Sequence, residues 1–319
     1  MLSAASAGTR LVAVGERGLV LVSDDKGAAW QQAAAPATST LTAVFFSNAE
    51  LGWIVGHGAL ILHTSDGGRT WTPQLDAASA AESLVVEAST LKVDHPAGKI
   101  AIEDARLLAA GEVDRPLFAV SVDSGGRGFA VGAFGLAFAT TDGGRTWHSI
   151  GSRLPNPKGK HLYGIVRTAG AVWFIGEQGA LFRSSDDGLS FSEMGLPYTG
   201  TLFGGLALDA QGMLVYGLRG NVLRTDDDGR HWSKVNASAL GATAVTHAIL
   251  LRDRRLVLVD QGGQVLLSDD QGLSFRREGV KARSPINAVV QADRSQLVLA
   301  TVRGVERVTI DQAESPKPR

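Results

Sequence analysis

The sequence predicts an all-β chain folded as a seven-bladed β-propeller, and three observations carry that expectation. The octapeptide TSDGGRTW at 64–71 returns almost unchanged as TTDGGRTW at 140–147. Weaker copies of the pattern [ST]-x-D-x-G-x-x-[WF] stand at 23–30, 184–191, 225–232 and 268–275, so Asp25, Asp66, Asp142, Asp186, Asp227 and Asp270 share one repeated position. Ten residues before each Asp comes Gly15, Gly56, Gly132, Gly176, Gly217 or, in the last copy, Asp260, each closing a β-rich run. A further 11 to 13 residues upstream, a small residue interrupts an apolar segment: Ala4, Ala43, Ala119, Gly164, Gly204 and Ala248. The same ruler runs from Ala288 to Asp311, a seventh copy with Ala313 where the pattern has Gly. A period of 41–44 residues, broken by one gap of 76, is that of four-stranded propeller blades.

Within a repeat, the L-x-[AG]-[VIL] run is the first strand, with its small residue where blades converge on a narrow axis. The second strand ends at the glycine, and a run of the ALILHT type is the third. In the octapeptide, Asp and Ser/Thr side chains accept turn N–H groups, Gly supplies φ > 0, and the aromatic packs back over the hairpin as the fourth strand begins. A motif present in every blade reads as architecture. Calcium at acidic copies such as TDDDG is the alternative, without the spacing of a known calcium loop.

The gap of 76 holds about 33 extra residues beyond the usual period. Residues 77–113 read as two short helices of strong helix formers, broken near His95–Pro96. They fall in a strand-4-to-strand-1 connection, on the face opposite the Asp turns, and are either a packed decoration or a partner-docking element. The seventh copy shows no fourth strand after Thr309–Ile310. The closing strand is therefore expected upstream of Met1 in the natural precursor, or the ring closes poorly. Residues 1–319 are expected to form one propeller domain.

Composition bounds the partners. With 31 basic and 32 acidic side chains and no basic stripe, nucleic acid is not expected. The absence of cysteine excludes disulfides, thiolate zinc sites and cysteine nucleophiles. No apolar run approaches a membrane span, and no signal peptide is visible after Met1. The seven histidines, His57, His63, His95, His148, His161, His231 and His247, include no HxxxH pair, so no metal is expected. No phosphate loop is present, and no cofactor is expected.

The non-repetitive polar and aromatic residues gather on the face of the strand-2-to-strand-3 turns. These turns carry Arg17, His57, Phe134, Glu177, Gln178, Arg219 and Arg303. Nearby long loops add Lys158, Lys160, His161, Tyr163, Tyr198 and Phe203. Arginine and aromatics are the types that anchor interfaces, so this upper face is the expected partner-binding surface. Blades 7 and 1 are ring neighbours, which should bring Arg303 near Arg17. A sialidase would need an arginine cluster, a Tyr nucleophile with a Glu partner, and an acid/base Asp. The chain offers Tyr163, Tyr198 and Tyr216, of which Tyr216 lies inside a strand, and no F/Y-R-I-P motif. Paired carboxylates for glycoside hydrolysis would have to be Glu16 and Glu177, from well-separated blades.

The octapeptide is similar to the Asp-box, or bacterial neuraminidase repeat, which specifies fold better than function. The runs LVAVGERG, GFAVGAFG, NPKGKHLYGI, GEQGALFRSSDDG and VYGLRGNVLRTDDDG, in this order, resemble the photosystem II stability/assembly-factor-like family, whose members extend into non-photosynthetic proteobacteria. The resemblance implies a non-enzymatic propeller that is periplasmic or otherwise exported, and a monomer is expected. Such a protein helps a membrane complex assemble or stay stable, and in proteobacteria the complex suggested is an RND-type transporter. A carbohydrate-active enzyme or lectin using the same face is the alternative.

Overall fold

The computed structural model describes residues 1–236, 239 and 241–311. Six four-stranded sheets and one three-stranded sheet, each a meander in sequence order, form the seven blades. The first strands are Ser3–Ala7, Leu41–Phe46, Leu117–Val122, Leu162–Arg167, Leu202–Ala207, Val245–Leu250 and Ile286–Gln291. These lie side by side around the axis, each against the first strand of the next blade. The glycines chosen from the sequence serve this approach: a Cβ on Gly164 would stand 2.9 Å from the Gly204 Cα of the next blade.

Second strands such as Gly52–Gly56 (GWIVG) and Val172–Gly176 (VWFIG) are buried along their whole length. They read as continuous apolar runs because neighbouring blades cover both of their faces. Most fourth strands are short and largely exposed, as at Ser192–Glu193 and Ser233–Lys234, while that of blade 6 runs over Arg276–Lys281. The core is consequently a set of slabs between blades. Between blades 3 and 4, Phe129, Phe174, Phe182 and Phe191 join Val131, Leu162 and Val172. Phe174 stacks on Phe191 with centroids 4.6 Å apart, and burying each such ring contributes roughly 1.5–3 kcal/mol.

The repeated turns are closed by their own side chains. Ser184 Oγ donates to Asp186 Oδ1 (2.7 Å) and accepts from the Gly188 N–H (2.8 Å). Asp186 Oδ1 also accepts from the Ser190 N–H (3.0 Å), and Oδ2 from the Ser190 hydroxyl (2.6 Å). Asp66, Asp142 and Asp270 repeat this arrangement. At Asp227 the His231 imidazole replaces the last hydroxyl, and at Asp25 that arm is an alanine. Trp30, Trp71 and Trp232 donate their indole N–H back to the turn glycine carbonyl at 3.2 Å. The seventh copy differs. Asp311 N–H donates to Glu278, and the Asp311 carbonyl accepts from Arg255. Ala313 lies outside the described residues.

Two helices form the insertion after blade 2. Helix α1 (Ala77–Thr90) starts at Asp76, whose carboxylate accepts from the Ser79 N–H while Ser79 Oγ accepts from the Asp76 N–H, a reciprocal capping box. Helix α2 (Pro96–Ala109) begins with proline in its first turn and the His95 imidazole accepting from the Ala97 N–H. Their facing residues, Ala80, Ala81, Leu84, Ala101, Ala105 and Leu108, follow i, i+3/i+4 spacing and share a cluster with Trp53, Leu117 and Trp147. The insertion is thus packed into the slab between blades 2 and 3.

Blade 7 has three strands, Ile286–Gln291, Gln296–Thr301 and Gly304–Thr309. The ring nevertheless closes among the described residues. Ala4, Leu11 and Ala13 of blade 1 are buried against Ala288, Val290, Val298 and Ala300 of blade 7. The Met1 ammonium donates to the Thr301 carbonyl (2.7 Å), Asn287 Nδ2 donates to the Met1 carbonyl (2.9 Å), and Lys26 pairs with Asp293 (2.6 Å). Side-by-side packing makes this joint, with no strand shared between the ends among the described residues. Among the described residues no helix is long and apolar enough to cross a membrane.

Candidate functional site

A register slip repeated in six blades builds the upper rim of the axis. In blade 4, Leu162 pairs with Gly176 and Gly164 with Ile175, so Tyr163 is skipped. The residues skipped in blades 2, 3, 5, 6 and 7 are Thr42, Phe118, Phe203, Thr246 and Asn287. A bulge of this kind re-aims one side chain out of the ladder. Blades 2 to 5 place glycine opposite, where a Cβ on Gly176 or Gly217 would overlap the carbonyl oxygen of His161 or Thr201 just before the bulge, whereas blades 6 and 7 place Asp260 and Thr301 there. Blade 6 corrects the sequence ruler by one position. The residue following its bulge is His247, and Ala248 pairs with Leu258 one step further on. The His247 imidazole, too large for the close approach seen at Gly164, instead accepts from the Val289 N–H of blade 7 (3.4 Å).

The six skipped residues divide the rim. Thr42, Thr246 and Asn287 hydrogen-bond to backbone carbonyls of the neighbouring blade. Blades 3, 4 and 5 instead present aromatic rings. Phe118 lies 5.2 Å from Tyr163, and Tyr163 meets Phe203 edge-on at 5.6 Å. His161 packs 4.6 Å from Phe134 and 6.1 Å from Tyr163. The Arg115 guanidinium, paired with Asp104 at 2.6 Å, sits 4.0 Å over the Phe134 ring. The result is a half-exposed aromatic run across three blades. Glu177 borders it and accepts from the His161 N–H (3.0 Å). Burial, and then the Glu177 charge, raises the Tyr163 phenol above its ordinary pKa.

The turns next to this run hold backbone strain. Arg17, Phe134, Gln178 and Arg219 sit at the same turn position with φ of 56°, 55°, 53° and 57°, where blade 2 places Gly58. A non-glycine residue there costs roughly 1–2 kcal/mol. The Arg17, Arg219 and Arg303 side chains have no hydrogen-bond or ion-pair partner among the described residues.

Of the residues singled out from the sequence, Phe134, His161, Tyr163 and Phe203 come together, with Glu177 at their edge. Lys160 is held near Glu193 (3.4 Å), His57 contacts Asp114, and the Tyr198 hydroxyl donates to the Leu218 carbonyl (3.2 Å). The arginines are in the turns of blades 1, 5 and 7, apart from the run's centre. Sequence reasoning missed Phe118, which precedes Ala119 as Tyr163 precedes Gly164, and Arg115, whose stacking no local pattern announces. The enzyme alternatives gain little: Tyr216 is 4% exposed, and burial pushes its phenol up.

A profile of the family described as photosynthesis system II assembly factor YCF48 matches residues 6–88 and 108–248, most of the chain. The chain belongs to the YCF48 assembly-factor family. It is 45% identical over 51 residues, 15% of this chain and 12% of the relative, to photosystem II stability/assembly factor HCF136, chloroplastic, of Cyanidioschyzon merolae (strain NIES-3377 / 10D). It is 28% identical over 130 residues, 39% of this chain and 38% of the relative, to photosystem II assembly lipoprotein Ycf48 of Synechococcus sp. (strain CC9902). The aligned stretches therefore span well under two thirds of these curated relatives. Among solved structures, YCF48 bound to D1 peptide superposes with a TM-score of 0.68 at 15% identity, covering 98% of this chain and 93% of that one. YCF48 from Cyanidioschyzon merolae gives 0.67 at 16% identity, covering 97% and 95%. The WD40 propeller of Doa1 reaches 0.66 at 10% identity, covering 98% and 93%, so these superpositions speak for the fold alone. The YCF48 profile leaves out residues 89–107, the end of α1 and most of α2, together with everything after 248.

Proposed function

We propose that this chain is a non-catalytic scaffold whose upper face receives a segment of a protein partner across the aromatic run, and so assists the assembly or stability of a membrane or envelope complex. The observation that carries this reading is the continuity of Phe134, His161, Phe118, Tyr163 and Phe203 over three blades. Half-exposed aromatic rings are suited to anchor apolar side chains of a partner. Arg17, Arg219 and Arg303 would pair with its carboxylates from the surrounding turns. His57, Lys160, Gln178 and Tyr198 complete the surface. A relative whose solved structure is titled as bound to D1 peptide supports a polypeptide ligand, and a relative named as a lipoprotein supports a location beyond the cytoplasmic membrane. In a non-photosynthetic host, an RND-type transporter is the candidate complex. The six turn aspartates serve architecture, since each accepts hydrogen bonds within its own turn through Oδ1, and all but Asp25 through Oδ2 as well.

The test is affinity capture from the gently solubilised host envelope, comparing wild type with Tyr163→Ser/Phe203→Ser and with Arg17→Glu/Arg219→Glu/Arg303→Glu. A membrane protein retained by wild type and lost from both folded variants is the expected result. Equal retention by all three would overturn the assignment of the surface. Retention of nothing, combined with binding on a glycan array, would replace it by the carbohydrate reading.

A further inference from the structure

The insertion also encloses a cavity of about 340 Å³ between α1, α2 and blade 3. Its walls are largely apolar, with Leu84, Ile100, Leu136, Leu154 and Pro155 among them. Two carboxylates, Glu87 and Asp104, line it, and each residue is only 9% exposed. Their electrostatics differ. Asp104 Oδ1 is neutralised by Arg115, which in turn stacks on Phe134. Glu87 receives hydrogen bonds only from neutral donors: the Ser149 hydroxyl, and the Ser152 N–H and hydroxyl. Among the described residues no cation pairs with it. Buried charges are ordinarily paired, and an unpaired carboxylate in an apolar cavity favours a cation that also buries hydrocarbon. The volume falls in the range of small-molecule sites, and it is more than twice that of a cavity that takes up benzene. The α2 part of the lining, including Ile100, Ala101 and Asp104, lies outside the YCF48 profile match, whereas Leu84, Glu87 and the blade 3 residues lie within it.

We propose that the cavity between α2 and blade 3 is a binding site for a small apolar amine. Its ammonium is received by Glu87 beside Asp104, and its hydrocarbon body lies against Ile100, Leu154 and Pro155. The cavity shares Phe134 with the aromatic run, whose other four rings lie outside its lining, and neither assignment requires the other.

Calorimetric titration of the full chain with n-hexylamine, 1-hexanol and hexanoate tests the proposal. The amine is expected to bind at least about tenfold more tightly than the alcohol, as charge-assisted bonds exceed neutral ones, and hexanoate is expected not to bind. Glu87→Gln keeps the shape and removes the charge. It should abolish the preference for amine over alcohol. Ala97→Trp fills the mouth from a partly exposed position at the start of α2 and should remove binding of all three probes, which keeps the test decisive if Glu87→Gln does not fold. No amine binding, equal binding of amine and hexanoate, or undiminished amine binding in folded Ala97→Trp would each overturn the site.

Discussion

Two kinds of residue illustrate how this chain separates stability from recognition. Asp66, Asp142, Asp186 and Asp227 have pKa values lowered from about 3.8 to about 2. At Asp186 the causes are the Ser190 hydroxyl, the Ser190 N–H and the Ser184 hydroxyl, in that order. Since the folded carboxyls hold their protons more weakly than the unfolded ones, this stabilisation is complete above about pH 5 and is lost as pH falls toward 2. The melting temperature should therefore begin to fall from about pH 6.5, where the unfolded chain takes up a proton on the imidazole that burial holds down at about 4 in folded His247, and drop more steeply below about pH 4; Asp186→Asn should flatten part of the steep drop and lower stability at neutral pH. Arg17, Gln178 and Arg219 behave oppositely, because their left-handed backbone strains the fold. Glycine at Gln178 or Arg219 should raise stability by about 1 kcal/mol while weakening partner capture. Chemical denaturation reads the first effect, and a loss of stability instead would mean that these side chains support the turn.

At the scale of elements, the six Asp turns and the helical insertion were legible because each rests on local chemistry. A Ser/Thr, an Asp and a Gly at fixed offsets make the turn wherever they occur, and apolar residues at helical spacing define α1 and α2. The bulges were only half legible. The small residue after the bulge marks the right neighbourhood, yet which residue leaves the ladder depends on pairing with the second strand, so Phe118 escaped notice and blade 6 was misaligned by one residue. The cavity was not legible at all, since it needs Glu87, Asp104 and Ser149 from separate elements. Helix α1 supplies an element-scale prediction. Asp76→Ala removes the carboxylate half of the capping box, leaves the backbone N–H of residue 76 donating to Ser79 Oγ, and should cost about 1 kcal/mol, with hydrogen exchange accelerating first over residues 77–90. Uniform acceleration across blades 2 and 3 would instead show that the insertion and these blades open as one unit.

For the whole molecule, period alone announced seven blades, while closure could not be read from the sequence because it depends on how the two ends of the chain meet. The sequence led to a missing fourth strand in blade 7; the structure adds that an apolar slab of small side chains still joins that blade to blade 1. Among the described residues no strand pairs with the outer edge of Gly304–Thr309, so its outward amides should exchange fastest among the third strands, a pattern that exchange mass spectrometry can resolve blade by blade. Equal protection of all seven third strands would indicate that something covers this edge in solution. The joint also sets how the protein responds to load. Six blade boundaries lie between residues joined by continuous chain, whereas a pull applied between residues 1 and 311 acts on the seventh boundary directly. Among the described residues no strand need be sheared along its length there, and what is peeled apart is a few hydrogen bonds, an ion pair and a layer of small apolar contacts. The ring is mechanically a clasp, which gives way at low force and leaves the remaining boundaries to rupture afterwards, one by one.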